Sequence, residues 1–178
     1  PDVADKPNLT HIPTAGSNVT TVGGGLTMDL TEHDEIINPR GFTVVLAVDG
    51  SNVGSVVTQT PFEIRNAGTT NRFRVDNSGG YWRVVGAIAS ANEIVTTFGT
   101  IGTGRKVMAF SVQAGACLGV LQGESVVSLG TLSAALDPAY LHVGQSASNE
   151  QVNAPISLIA FFPRACTAGE LTAFANNF

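Results

Sequence analysis

The chain has 178 residues, of which 43% are hydrophobic and 13% charged, with a formal net charge of −5. Such a length and apolar content fit one sandwich-sized domain with a single core, under a surface of Ser, Thr, Asn, Gln and Gly. Nine basic residues scattered along an acidic chain make no Lys/Arg stripe, which argues against nucleic acid as a partner. The longest apolar runs, 42–48 and 156–162, fall far short of the ~20 residues that span a bilayer, which argues against membrane insertion.

In chain order, residues 1–20 read as an arm or linker, because Pro1, Pro7 and Pro13 stand among Thr, Asn and Asp without an apolar period. Residues 21–178 read as one domain. The sequons at Asn8 and Asn18 arise easily by chance and receive no role. From Val22 onward, short β-branched or aromatic runs alternate with Gly, Asn, Asp and Ser, the pattern of many strands joined by turns. Residues 42–48 form a nearly continuous apolar strand, and Asp49-Gly50 signals a turn after it. In 61–65 and 72–75 apolar residues alternate with Glu63, Arg65, Arg72 and Arg74, so one face is buried and the other wet. Residues 76–80 read as a loop into a strand at 81–85.

Further strands are expected at 94–98, 106–112 and 117–121, the last turning at Gln122-Gly123-Glu124 into 125–129, then at 141–144 and 156–162. The total, roughly ten to twelve, suits an all-β, two-sheet antiparallel jelly-roll sandwich. The end differs: Thr167 and Glu170 have capping-box spacing, and Leu171 and Phe174 share one face of a short C-terminal helix that docks on the sandwich. Cys117 and Cys166 fit no metal or redox spacing and sit in apolar segments, so buried thiols are favoured over one disulfide.

The stretch from Leu141-His142-Val143-Gly144 through a variable loop to residues 155–171, with Pro163, Arg164, Thr167, Glu170 and Leu171, resembles the ending of concanavalin A-like lectin and laminin-G-like domains. The version with Pro before Arg resembles domains of bacteriophage tail, fibre and head-associated proteins. Gly25 to Asp29 with Gly41 to Val44 resembles the opening strands, and 118–126 with Gly123 resembles the central hairpin. The likeness spans about 20–178, with its specific motif in the last thirty or so residues. Ala154-Pro155 stands where a Gly usually precedes the final strand, and Cys166 replaces a common Leu. Arg164 and Glu170 are best explained structurally, by helix capping and a local ion pair.

The resemblance implies a virion protein, exposed on head or tail, with two functional readings, and the missing catalytic geometry makes it non-enzymatic. One is adhesion to host cell-surface polysaccharide by a tail fibre, tail tip or head fibre. The other is a decoration protein that binds only other virion proteins. A secreted or bacterial cell-surface adhesin is a weaker third reading, and a homo-oligomer is compatible with all three.

A glycoside hydrolase needs two carboxylates flanking the scissile bond. The nearest cluster, Glu32-His33-Asp34-Glu35, has Ile37 in place of the third acid of Glu-x-Asp-x-x-Glu and runs into Asn38-Pro39. His11, His33 and His142 lack partners at ligand spacing, and no serine sits in a Gly-x-Ser-x-Gly elbow. No cofactor is expected. Calcium could draw oxygens from Asp76-Asn77-Ser78 or Asn149-Glu150, but such sites need about six oxygens and an ordinary loop is favoured. The glycines at 23–25 and 99–104 precede no helix and read as turns. For a sugar, the best candidates are Tyr81, Trp82 and Arg83 beside Asp76 and Asn77. Adjacent strand residues point to opposite faces, so one of Tyr81 and Trp82 faces outward if the other enters the core, and Trp82 is favoured as core.

Overall fold

The run 42–48 lies in strand β3 (Gly41–Asp49), which is buried along nearly its whole length and paired on both sides, by β8 (Arg105–Gln113) and β12 (Ile156–Phe162). Apolar residues at successive positions require burial on both faces of a sheet, and this sheet has it. One face meets the other sheet across the main core of Phe42, Val44, Leu46, Phe110 and Val112. The opposite face carries Val45, Ala47, Val107 and Ala109 and is covered by the C-terminal helix α1 (Ala168–Asn177) through Leu171 and Ala175.

A computed structural model describes residues 19–22, 25–31, 37–53, 58–146, 150, 152 and 154–178. The arm up to residue 18, with its sequon asparagines, and His11, Gly23-Gly24, the Glu32-His33-Asp34-Glu35 cluster and Asn149 lie outside the described residues. Within them the chain is a sandwich of two antiparallel sheets. The five-stranded sheet has the order β10-β9-β8-β3-β12, with β9 at Ala116–Leu121 and β10 at Val127–Gly130. The seven-stranded sheet has the order β1-β2-β11-β4-β5-β6-β7. Its strands are β1 (Val19–Val22), β2 (Gly25–Asp29), β4 (Phe62–Arg65), β5 (Arg72–Ser78), β6 (Tyr81–Ile88), β7 (Ala91–Thr100) and β11 (Tyr140–Val143). The first strand starts at Val19, just inside the stretch read as an arm.

Residues 76–78, expected in a loop, belong to β5 instead. The turn is reduced to Gly79 (φ 58°) and Gly80 (φ 87°), the pair of left-handed residues that a two-residue hairpin of matching twist demands. Asp76, Asn77 and Ser78 therefore pair in register with Arg83, Trp82 and Tyr81. The next hairpin, between β6 and β7, turns on Ala89 (φ 48°) and Ser90 (φ 69°), neither of them glycine. Asn71 Oδ1 accepts from the Ala89 amide and the Thr70 carbonyl from the Ser90 amide, so the 66–71 turn holds the strained pair in place.

Both cysteines are thiols outside any disulfide and are buried on opposite sides of the five-stranded sheet: Cys117 in the main core, Cys166 beneath the helix. A bridge between them would have to cross the sheet. The Thr43 hydroxyl accepts from the Cys166 amide and donates to the Arg164 carbonyl, tying the start of β3 to the approach to α1.

At the helix start the Thr167 side chain accepts from the Glu170 amide while Glu170 accepts from the Thr167 amide at 2.8 Å. Arg164 adds a two-pronged pair to the same carboxylate at 2.6 and 3.1 Å. The Arg164 bonds, then the Thr167 amide, bring the Glu170 carboxyl down to about 2. A depressed carboxylate stabilises the fold fully above its unfolded value of 4.5 and loses that contribution as pH falls through about 2. We expect Glu170→Gln to lower stability by ~1 kcal/mol at pH 7, as cap losses do. In urea melts the gap from wild type should narrow steadily from pH 4.5 toward 2.

Candidate functional site

Because α1 covers the five-stranded sheet, the broad sheet face left without a helix among the described residues is the outer face of the seven-stranded sheet. Period-two alternation sends Phe62, Ile64, Phe73, Val75, Trp82 and Val84 into the core. It turns Glu63, Arg65, Arg72, Arg74, Asp76, Arg83, Tyr140 and His142 to the outer face. Four of the nine basic residues of the chain, all arginines, thus share one sheet face.

At one end of this face Asp76 is fully enclosed and bridged by two arginines. Arg83 grips it in a fork, Nε to Oδ1 at 2.7 Å and Nη2 to Oδ2 at 2.9 Å, and Arg74 Nη2 stands 2.9 Å from Oδ2. The hydrogen bond to Asp76 raises the Arg83 guanidinium above its usual range. Arg74 also reaches Glu150 at 2.7 Å, and Glu150 accepts from Thr60, so the segment after β11 is fastened to this face. With three charge-assisted bonds already on Asp76, its oxygens are committed to arginine, and Glu150 is likewise taken by Arg74 and Thr60. Among the described residues no group of three or more His, Cys, Asp or Glu is placed to hold a metal ion.

The five residues proposed for a sugar divide by strand parity. Trp82 is 1% exposed and lies in the core, where it offers no face to a ligand; Asn77, also inward, accepts from the Gln59 amide. Tyr81 is 50% exposed on the outer side, and Arg83, two residues on, shares that side with its head anchored on Asp76. The outward group is therefore Tyr81 with Arg83, bordered by Ser78 and Thr100, the register partners of Tyr81. An aromatic ring beside a fixed guanidinium and hydroxyls can stack on a pyranose and bond its hydroxyls. Pro163, Arg164, Thr167, Glu170 and Leu171 lie far from it in the fold, at the junction of β12 and the helix on the other sheet.

The alternation places the arginines on the outward face, but nothing local to the sequence assigns them or His142 a partner. His142 Nε2 takes the Nε–H of Arg65 at 2.9 Å, so Nε2 must be the unprotonated nitrogen. Nδ1 then carries the proton and donates to the Thr27 hydroxyl at 2.9 Å. This neutral imidazole joins β2, β11 and β4, and Arg65 lies over the Tyr140 ring, 4.7 Å from its centroid. Burial first, and the Arg65 charge second, bring His142 down to about 4 from 6.5. The signal was in the sequence: charged residues at alternate positions of 63–65 and 72–74 give the outward row, but not what lies across it.

A depressed histidine works against the fold on acidification. Between pH 6.5 and 4 the unfolded chain binds a proton that the native imidazole refuses, so stability falls as pH drops through that window and levels off below it. We expect a loss of up to about 3 kcal/mol over this range. His142→Asn should flatten the same stretch of a urea-derived stability profile. A wild-type profile that is flat from pH 6.5 to 4 would contradict the assignment.

No protein-family model matches the chain, and no curated protein matches it significantly. Solved structures do. The mouse laminin alpha1 chain, domains LG4-5, superposes with a TM-score of 0.60 at 10% identity, over 87% of this chain and 46% of that one. The Ruminococcus gnavus IT-sialidase CBM40 bound to alpha2,6 sialyllactose gives 0.61 at 10% identity, over 89% and 97%. The NanB sialidase of Streptococcus pneumoniae gives 0.60 at 18% identity, over 92% of this chain and 28% of that chain. The chain thus spans less than half of the laminin fragment and of the sialidase. At these identities the likeness establishes the fold: a lectin-like sandwich of the kind shared by laminin-G domains, CBM40 modules and sialidases.

Proposed function

We propose that the chain is a non-enzymatic, lectin-like module that binds glycan on the outer face of its seven-stranded sheet, as the host-adhesion part of a phage virion. The observation that carries this reading is the half-exposed Tyr81 ring beside Arg83, whose guanidinium is held rigid by a buried carboxylate. A tyrosine ring has few torsions to freeze, so a sugar that stacks on it costs little conformational freedom. The CBM40 module that superposes over nearly its entire length is a sialyllactose complex, which supports a sugar as the class of ligand. The virion setting rests on the resemblance around Pro163-Arg164. The absence of catalysis is supported by Asp76 and Glu150, which are engaged by arginines rather than set as an acid and base across an open cleft.

The test is a glycan array with the wild-type chain and Tyr81→Ala. Binding to a subset of bacterial polysaccharides is expected, falling about tenfold or more in the variant, the equivalent of ~1.4 kcal/mol. Equal binding by both, or none by either, would sink the reading. A decoration protein is the second reading, favoured by one feature. The edge strand β7, ten residues long, has no Lys, Arg or Pro, and Val95 on it is 57% exposed, a surface able to pair with a neighbouring subunit. Seating of β7 against another virion protein in the assembled particle would support that reading instead.

A further inference from the structure

At the end of the outer face remote from Tyr81, Arg65 and Arg72 stand directly opposite each other in the β4–β5 register. Neither has a carboxylate within ion-pair distance among the described residues, although Arg74 and Arg83 on the same face do. Arg65 is occupied by neutral partners: the His142 imidazole, the Asn66 carbonyl and the Tyr140 ring. Arg72 has still less. Its Nη2 makes one long bond of 3.4 Å to Asn92, and its buried Nε has no acceptor among the described residues. The nearest acids in register are committed elsewhere or turned to other partners. Asp29, across from Tyr140, accepts from the amide and hydroxyl of Thr31, and Glu63 lies opposite His142 and Arg74.

Like charges directly opposite on a sheet repel, and a half-buried guanidinium with unmet donors is costly; an anion between the two would relieve both. Of anions, a carboxylate best matches the forked donors of arginine. The flanking groups, the Tyr140 ring on one side and the exposed Asn92 amide on the other, are those that meet the ring and hydroxyls of a sugar. We propose that Arg65 and Arg72 form a second subsite, which takes the carboxylate of an acidic sugar residue. The sugar part of this inference rests on the glycan reading above; the carboxylate part does not.

The test follows the arginine Nε–Hε signals of the full chain by NMR during titration with sodium glucuronate and, separately, methyl glucoside. Glucuronate should shift Arg65 and Arg72 together with the Tyr140 ring, methyl glucoside should not, and Arg72→Gln should abolish the response. Arg72→Gln should also leave the melting temperature unchanged or raised, because it removes a like-charge pair; a purely structural arginine would lower it. No shift with glucuronate, an equal shift with methyl glucoside, or an undiminished response in Arg72→Gln overturns the proposal. Failure of the glycan reading looks different: Tyr81→Ala then leaves array binding unchanged while the arginine signals still answer glucuronate.

Discussion

Asp76→Ala should destabilise the chain by about 3–5 kcal/mol, the range found when one partner of a buried charge cluster is removed. The carboxylate is wholly enclosed, and its loss strands the Arg83 fork and one arm of Arg74. Arg74 keeps Glu150 at 2.7 Å, so the larger share of the damage falls on Arg83. For a chain of this size the change corresponds to a fall of about 10 °C in Tm. A companion variant identifies the cause. Asp76→Ala combined with Arg83→Met removes the stranded charge and should recover a substantial part of the loss, a coupling that a double-mutant cycle in urea measures directly. A loss below ~1 kcal/mol, or strict additivity, would show that the cluster is solvated and weak.

Trp82→Ala should cost a similar 3–5 kcal/mol, by emptying the volume of the largest side chain fully buried in the main core. Trp82→Phe should cost much less, roughly 1–2 kcal/mol, because the phenyl ring fills most of the site and leaves only a small cavity. The reason is specific: the Nε1–H of Trp82 has no acceptor among the described residues, so phenylalanine sacrifices volume but no hydrogen bond and removes an unsatisfied buried donor. Paired with Tyr81→Ala, the series separates fold from recognition. Tyr81→Ala should leave the urea midpoint nearly unchanged and weaken glycan, whereas Trp82→Phe should preserve glycan binding. Glycan loss in Trp82→Phe at full stability would return the indole to the site.

The sandwich was legible because its strands obey simple periods. The apolar run 42–48 announced a strand buried on both faces, and the alternation at 61–65 and 72–75 announced strands with one apolar and one charged face. The charged face is not wet throughout, since Glu63 and Asp76 on it are buried. The helix was legible from Thr167, Glu170 and Leu171, since a capping box is a local device whose residues lie within one turn. Residues 76–78 were misplaced because polar composition suggested a loop where cross-strand partners, invisible in sequence, make a strand: Asp76 needs Arg83 opposite it. The β6–β7 turn gave no signal, since Ala89 and Ser90 take left-handed conformations only under the hold of Asn71 and Thr70, some twenty residues earlier. The site was half legible. Parity along β6 lets only one of Tyr81 and Trp82 face outward, and the larger ring, favoured as core from its size, does lie in the core, which leaves Tyr81 as the outward residue. The Arg65–His142–Thr27 chain joins residues up to 115 positions apart, and nothing local predicts it.

The central claim, recognition on the outer face of the seven-stranded sheet, is tested most directly by mapping amide shifts of the isotope-labelled chain as a glycan identified on the array is added. Perturbations should cluster on Tyr81, Arg83, Ser78 and Thr100 and spare α1. Perturbations confined to α1 and the five-stranded sheet, or along the edge of β7 alone, would contradict it.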